Sequence, residues 1–310
     1  MHTLPAAVAA PWTALPSLTL YLVLIAAAAF AGGTSVAFLS LGHRRMQVLL
    51  SLTGGVMLGV GLLHLLPHAF LELDRRIDTT MAWVLAGFFL MFLLERAFHG
   101  HAHHATDGSH AGHGCEHDHS HDLHKTPAQG RNSRWAWCGA FAGLTLHSLA
   151  DGAALAASVN ADGEHVGGLL AGLATFLAIV LHKPFDSGII ATLMINSGVS
   201  SRTRTIFNAA YALVVPIGAI AFLASLRLFG QNQDAILGTA MAMAAGAFLC
   251  IAAADLLPEV EFHSHDRVLL TAALALGLAI AWGIAAVERS SHAHAVHAHR
   301  QSSGADGHDR

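Results

Sequence analysis

Eight long apolar blocks run through this chain, and they limit what it can fold into more than any other feature. Each block is close to the length, about 20 residues, that an α-helix needs to cross a bilayer. Of the 310 residues, 54% are hydrophobic and only 12% are charged, which argues against a soluble globule. We therefore predict an all-α membrane protein with eight transmembrane helices, at residues 17–40, 47–71, 81–98, 135–159, 166–195, 205–229, 235–257 and 267–287.

Basic residues indicate which side of the membrane each loop faces, because cytoplasmic loops carry an excess of Lys and Arg. If both termini are outside, nine flanking basic residues lie inside and six outside. We therefore predict external N- and C-termini, in the plasma membrane or inner membrane of a cell. The first sixteen residues contain no Lys or Arg, which argues against a cleaved secretory signal and for a first helix that stays in the membrane.

One long hydrophilic segment, residues 99–132, divides the sequence after the third span. Residues 1–98 then hold spans one to three, and residues 133–288 hold spans four to eight. Residues 289–310 form an external tail that contains a second histidine-rich run, "HAHAVHAH".

Histidine dominates the first part of this hydrophilic segment, with ten in 26 residues. Gly, Asp and Ser fill the gaps and leave no apolar face to bury, so we predict a disordered cytoplasmic loop. Since a flexible chain must be ordered at each binding event, the loop would bind transition metals weakly, and a plain solvated linker is the alternative. The candidate loop ligands are His101, His103, His104, His110, His113, Cys115, His117, His119 and His121.

Two pairs of similar segments predict an inverted repeat. The sequence "HLLPH" in span two is similar to "DLLPE" in span seven, and these spans would cross the membrane in opposite directions. "LHSLADG" in span four is similar to "LHKPFDSG" in span five, since each places an acid four residues after a histidine. Spans one to three would then be related to spans six to eight around a central pair, spans four and five.

The histidines and acids of spans four and five have the spacing of metal ligands. Residues i and i+4 lie on one face of a helix, one turn apart, where both can reach the same ion. His147 with Asp151, and His182 with Asp186, would supply two imidazoles and two carboxylates if the two spans pack antiparallel. Such a set suits Zn²⁺ and also accepts Fe²⁺, Mn²⁺, Co²⁺ or Cd²⁺.

Lys183 lies beside these ligands, in a span where a centrally placed Lys or Asp costs about 2.5–3.5 kcal/mol. One ammonium neutralises one of the two aspartates and leaves a net charge of −1, so a divalent ion brings the site to +1. Such a site is not a deep trap, and an ion that can leave is what transport requires. The alternative is an architectural network, in which Lys183 pairs with an aspartate and the histidines are hydrogen-bonded between helices.

The repeated segments of spans two and seven place further polar pairs near opposite faces of the membrane. His64 and His68 would line an entrance pathway, and Asp255 and Glu259 an exit pathway. The alternative is that these side chains only snorkel to the membrane interface.

With these motifs the chain resembles the ZIP (Zrt/Irt-like protein) family of divalent metal transporters. "HSLADG" is similar to the family's span-four motif H-N-x-P-E-G at His147, Asp151 and Gly152, and "HLLPHA" is similar to a common span-two sequence of the family. The resemblance implies a transporter, with no enzyme activity and no organic cofactor, that moves Zn²⁺ toward the cytoplasm by an elevator-like motion. It implies divalent ions and the lipid bilayer as partners, excludes nucleic acid, and leaves a homodimer open.

The chain departs from the family pattern at a second metal position. Many ZIP members hold two metals, and the additional ligands are an Asn, an acid and a Glu in spans four, five and six. Here those places hold Ser148, Lys183 and Val215. The resemblance therefore implies a single-metal site, in which the Lys183 ammonium stands where the second metal would sit.

Three rivals remain open at this point. A cation-diffusion-facilitator exporter also has H-x-x-x-D in a span, but it usually has six spans and a soluble C-terminal domain. A zinc-dependent intramembrane hydrolase would use Ser148 or bound water as its nucleophile. A metal sensor would bind the ion without moving it.

Overall fold

The computed structural model describes the backbone of residues 15–35, 43–99, 136–163, 170–229, 232–262 and 267–305, and side chains over slightly shorter ranges. Within these ranges the chain is helical and contains no strand. Eight helical segments are long and apolar enough to cross a membrane, so the protein is an integral multi-pass membrane protein, as the sequence predicts.

The helices, in chain order, form the eight spans as follows. Span one is α1 (Leu15–Ser35); span two is α2 (His43–Val60), a π-helical turn (Gly61–Leu65) and α3 (Leu66–Glu72); span three is α4 (Ile77–His99); span four is α5 (Ala136–Gly163); span five is α6 (Leu173–Asn196); span six is α7 (Ser201–Ala212) and α8 (Val214–Leu228); span seven is α9 (Gln233–Phe262); span eight is α10 (Arg267–Ala305).

Several helix limits correct the predicted ones. The first helix is described from Leu15 to Ser35, and its predicted end at 40 lies outside the described residues. Span five begins at Leu173 rather than at 166, because Gly172 takes a left-handed conformation with φ 73° that ends the preceding turn. Span six begins four residues early, at Ser201, since the side chain of Ser200 accepts a hydrogen bond from the backbone N–H of Thr203. The last helix continues through the predicted tail as far as Ala305.

Prolines interrupt two of the spans. In span two, Pro67 has no N–H to donate, and just before it the N–H of Leu66 bonds to the carbonyl of Gly61, five residues back. This π turn contains His64. In span six the helix breaks at Leu213, because Pro216 cannot donate to the carbonyl of Ala212.

The spans pack as two groups of four. Span one packs along span five, and span four along span six, which together form the first group. Span two packs along span eight, and span three along span seven, which form the second group. Contacts between the groups are fewer and run mainly from spans four and five to spans two, three and seven.

This packing pattern has the symmetry expected of the predicted inverted repeat. Exchanging spans one, two and three with six, seven and eight, and span four with five, turns each principal helix pair into another principal pair. For example, the pair of spans one and five becomes the pair of spans six and four. Spans four and five thus occupy the centre of the repeat, where the predicted metal ligands lie.

Candidate metal centre

Four side chains from spans four and five, three of them buried and the fourth partly buried, meet at the centre of the first group. They are His147 and Asp151 on α5, and His182 and Asp186 on α6. One potential ligand atom from each lies within 4.8 Å of the others, so all four can reach one ion. We call these four residues the central cluster.

The spacing of the ligand atoms is close to that of a bound metal. The Nε2 atoms of His147 and His182 are each 3.3 Å from Oδ2 of Asp151. They are 4.0 and 3.9 Å from Oδ2 of Asp186. Zinc bonds of 2.0–2.2 Å in a tetrahedron put neighbouring ligand atoms roughly 3.3–3.5 Å apart. The distances to Asp151 already match this spacing, and those to Asp186 are about half an ångström longer, so modest side-chain movements would bring the short aspartates to coordination distance.

The ring of His182 is oriented by the backbone of its own helix. Its Nδ1 lies 2.8 Å from the carbonyl oxygen of Ala178, which can only accept a hydrogen bond, so Nδ1 carries the proton. With Nδ1 held by the backbone carbonyl, Nε2 is the atom of this ring that can bind an ion, and it lies 3.3 Å from Oδ2 of Asp151. A backbone partner of this kind is typical of metal-binding histidines.

Lys183 is fully buried and contacts both aspartates. Its Nζ lies 2.5 Å from Oδ2 of Asp151 and 2.9 Å from Oδ2 of Asp186. These are the same oxygen atoms that face the two imidazoles, so an ion held by His147 and His182 would share the two carboxylates with the ammonium. The two carboxylates and one ammonium carry a net charge of −1.

Ser148 and Tyr211 complete the surroundings of the ammonium. The hydroxyl of Ser148 accepts a hydrogen bond from Lys183 Nζ at 3.0 Å and lies 2.9 Å from the hydroxyl of Tyr211. Tyr211 in turn donates to Oδ2 of Asp186 at 3.2 Å. The positions predicted to modify a second metal site, Ser148 and Lys183, are therefore neighbours in space.

Span six reaches the cluster through Tyr211, which the sequence reasoning missed. Val215 takes the place of the family's span-six ligand in the sequence, and its backbone carbonyl lies against Gly152 of span four. Tyr211 precedes Val215 by four residues, one turn of helix, so the polar side chain on the same face was the available signal.

A small cavity of about 10 Å³ touches His147. Its other lining residues include Ala140 and Gly143, toward the start of span four, and Glu95, toward the end of span three. Both ends border the predicted cytoplasmic loop. In the other direction along the helices, Leu155, Ala178 and Ile179 are buried in the apolar core.

The two histidines of span two do come together, but their acidic partner was not predicted. His64 and His68 have ring centroids 4.9 Å apart, and both face Asp162, at the end of span four. The signal for Asp162 was available, since His147, Asp151 and Asp162 follow one another at helical spacing along a single face.

Other predicted residues lie outside the part of the chain described. The structure does not describe the loop ligands from His101 to His121, nor the side chains of Asp255 and Glu259. Their roles in metal buffering and in an exit pathway stay predictions.

The fold and the comparisons with known proteins agree on the class of this chain. An all-helical chain with eight candidate spans is a polytopic membrane protein. The model of the ZIP zinc transporter family matches residues 15–285, and the chain belongs to this family. The description of this family is that of zinc transporters, which argues against the exporter-family and hydrolase alternatives.

Individual relatives are named as zinc transporters. The chain is 33% identical over 131 residues to zinc transporter ZIP9 of Micropogonias undulatus, covering 40% of each protein. It is 27% identical over 270 residues to zinc transporter ZIP4 of Rattus norvegicus, covering 70% of this chain and 39% of ZIP4. It is 34% identical over 124 residues to zinc transporter foi of Drosophila melanogaster, covering 40% of this chain and 16% of foi. The chain thus spans about two fifths or less of these relatives' lengths.

Proposed function

We propose that the protein transports divalent transition-metal ions, principally Zn²⁺, across the membrane toward the cytoplasm. The central cluster would bind one ion at a time. The observation that carries the proposal is the meeting of His147, Asp151, His182 and Asp186 at ligand distances in the interior of a ZIP-family fold.

The charge of the site supports exchange rather than permanent binding. With Lys183 bonded to both aspartates, a divalent ion would bring the cluster from −1 to +1. The ammonium also fills the space beside Ser148 and Tyr211, which supports a single ion. An architectural network of Lys183, one aspartate and histidines hydrogen-bonded between helices would not require one ligand atom from each of four residues to lie within 4.8 Å of the others.

The direction and route are supported by the surroundings of the cluster. The residues around the small cavity at His147 lie toward the ends of spans three and four that border the predicted cytoplasmic loop, whereas buried apolar residues lie in the other direction along spans four and five. The side of the buried apolar residues, with external termini, would be the outer one. Ions would therefore leave the cluster on the cytoplasmic side.

An elevator-like motion is supported by the division of the spans into two groups. The central cluster consists of residues of spans four and five, inside the first group, and among the described side chains the second group adds no ligand to it. The first group can therefore move against the second without breaking the coordination of the ion.

The test is uptake of radioactive Zn²⁺ into proteoliposomes. We expect the substitutions His147→Ala and Asp186→Asn to reduce uptake to the level of empty liposomes, because each removes one of four ligands. Ser187→Ala is the matched control, since this buried serine of the same helix bonds only to backbone carbonyls. Wild-type protein that binds Zn²⁺ at the cluster without flux would be a sensor, and that result would contradict the proposal.

Competition in the same assay would rank Cd²⁺, Fe²⁺ and Mn²⁺ against Zn²⁺, since the ligand set alone accepts all of them. The homodimer stays a prediction, which a mass measurement of the detergent-solubilised protein would test.

A further inference from the structure

A second buried group of potential ligands lies at the end of span four. It consists of His64 and His68 from span two and Asp162 from span four, and we call it the second cluster. Asp162 follows Asp151 by eleven residues, which places it roughly 16 Å further along the same helix. The second cluster is therefore separate from the central one.

Distances within the second cluster are close to those of a metal site. His64 Nε2 is 3.7 Å from Oδ2 of Asp162, and His68 Nε2 is 3.5 Å from Oδ1. One ligand atom from each of the three residues lies within 4.8 Å of the others. A tetrahedral zinc site requires separations of roughly 3.3–3.5 Å, so small side-chain rotations suffice.

One carboxylate oxygen of Asp162 can still bind an ion. The side chain is 1% exposed, and its Oδ2 accepts a hydrogen bond from the backbone N–H of Gly172 at 2.7 Å. Its other oxygen, Oδ1, is buried and has no hydrogen-bond partner. A buried carboxylate oxygen without a donor is unfavourable, and a cation held between Oδ1 and His68 would relieve that cost.

Hydrogen bonds from spans four and five orient His64. Thr175 donates to the hydroxyl of Ser158, which lies 2.8 Å from His64 Nε2. Because Ser158 accepts from Thr175, its own proton can be donated to the lone pair of His64 Nε2, and an ion bound by Nε2 would replace this hydrogen bond. The hydroxyl of Ser158 is also placed to act as a fourth ligand.

The second cluster draws ligands from both helix groups. His64 and His68 belong to span two of the second group, and Asp162 to span four of the first. A bound ion would therefore connect the two groups, in contrast to an ion in the central cluster. If the groups move against each other during transport, this set of ligands is complete in only one arrangement.

We propose that His64, His68 and Asp162 form a second site for a divalent transition metal, at which an ion waits before it passes to the central cluster. The site itself follows from the geometry, whereas its role as a waiting position rests on the proposed function. When the groups move, the ligands of span two separate from Asp162 and the site is emptied.

The site is tested by anomalous diffraction from crystals soaked in Cd²⁺. This measurement gives the position of each ion, so an ion bound by a histidine-rich segment is distinguished from an ion in either cluster. We expect two peaks in the wild-type protein, one in each cluster. Asp162→Asn should lose only the second peak, since asparagine still accepts the hydrogen bond from Gly172. His147→Ala with His182→Ala should lose only the central peak, and Asn160→Ala, a control on the same helix, should keep both.

The outcomes separate this proposal from the proposed function. A central peak with no peak at His64 and His68 overturns the second site and leaves the transport proposal standing. A second peak that survives Asp162→Asn overturns the assigned ligand. A second peak without a central one supports the second site and contradicts the central site, and no peak in either place contradicts both.

Uptake into proteoliposomes tests the waiting role. We expect Asp162→Asn to raise the half-saturating Zn²⁺ concentration by about tenfold, with a much smaller change in the maximal rate, because capture is weakened while the central cluster is intact. Asn160→Ala should match the wild type. An unchanged half-saturating concentration in the Asp162 variant would overturn the waiting role.

Discussion

Lys183 determines the chemistry of the central cluster at the scale of single residues. Its ammonium bonds to both aspartates that face the two imidazoles, and no solvent reaches it. Taking one partner from a buried charged pair costs about 3–5 kcal/mol, because the other charge is left uncompensated. The lysine therefore stabilises the metal-free protein and at the same time limits how strongly the aspartates attract an ion.

Replacing the lysine should thus separate these two effects. We expect Lys183→Ala to lower the thermal stability of the metal-free protein and to strengthen Zn²⁺ binding by about tenfold or more, since the site then carries −2. Calorimetry and thermal unfolding, each with and without Zn²⁺, measure both quantities. Zn²⁺ binding to the histidine-rich segments is the same in the wild type and in the Lys183→Ala variant, so it cancels when the two are compared.

The control for this prediction is again Ser187→Ala, which leaves the cluster untouched. If Lys183→Ala binds one ion with the affinity and transport rate of the wild type, the ammonium has no role at the site.

At the scale of helices, close packing between spans four and six keeps Tyr211 beside the cluster. A side chain at Gly152 would overlap the backbone of Val215 and Ala219. A side chain at Gly218 would likewise overlap the backbone of Leu149. Small residues that let two helix backbones approach are typical of membrane interfaces.

Gly152→Ala should therefore be destabilising by about 1–3 kcal/mol, because the added methyl group must push the two helices apart. Alanine is otherwise the better helix former by about 1 kcal/mol, which makes the choice of control important. Gly283→Ala is the control, because it brings the same gain in helix propensity and nothing lies within 4 Å of its added methyl group. Thermal unfolding of the two variants in detergent measures the difference, and equal stability would contradict the close packing.

The whole molecule divides into two groups of spans, and the proposed motion follows that division. A covalent link between the groups should therefore stop transport, whereas a link inside one group should not. Met91 in span three and Ala140 in span four line the same small cavity from opposite groups. Trp137 in span four and Phe207 in span six have ring centroids 4.9 Å apart within the first group.

The experiment pairs Met91→Cys with Ala140→Cys, in a protein whose cysteines Cys115, Cys138 and Cys250 are replaced by alanine. We expect a bifunctional thiol reagent to block Zn²⁺ uptake in this variant and a reducing agent to restore it. The pair Trp137→Cys with Phe207→Cys, at a similar depth, should keep transporting once linked. Full activity after complete linking of Met91→Cys to Ala140→Cys would rule out relative motion at this place.

Features that depend on neighbours along one helix could be predicted from the sequence. The apolar blocks gave the eight spans, because a bilayer sets the length of a helix that crosses it. The i, i+4 spacing gave the ligand pairs of spans four and five, because helical geometry alone places such residues on one face. The charged side chain of Lys183, which is unusual in an apolar span, indicated the same depth in the membrane as these ligand pairs.

Relations between helices were decided only by the tertiary structure. Lipid and neighbouring helices are both apolar, so hydrophobicity does not reveal which face of a span turns toward which partner. The meeting of Asp162 with His64 and His68, and the approach of Tyr211 to Lys183, depend on that choice. The grouping of the spans also depends on that choice, because it does not follow their order in the chain. Span four packs along span six, and span five along span one.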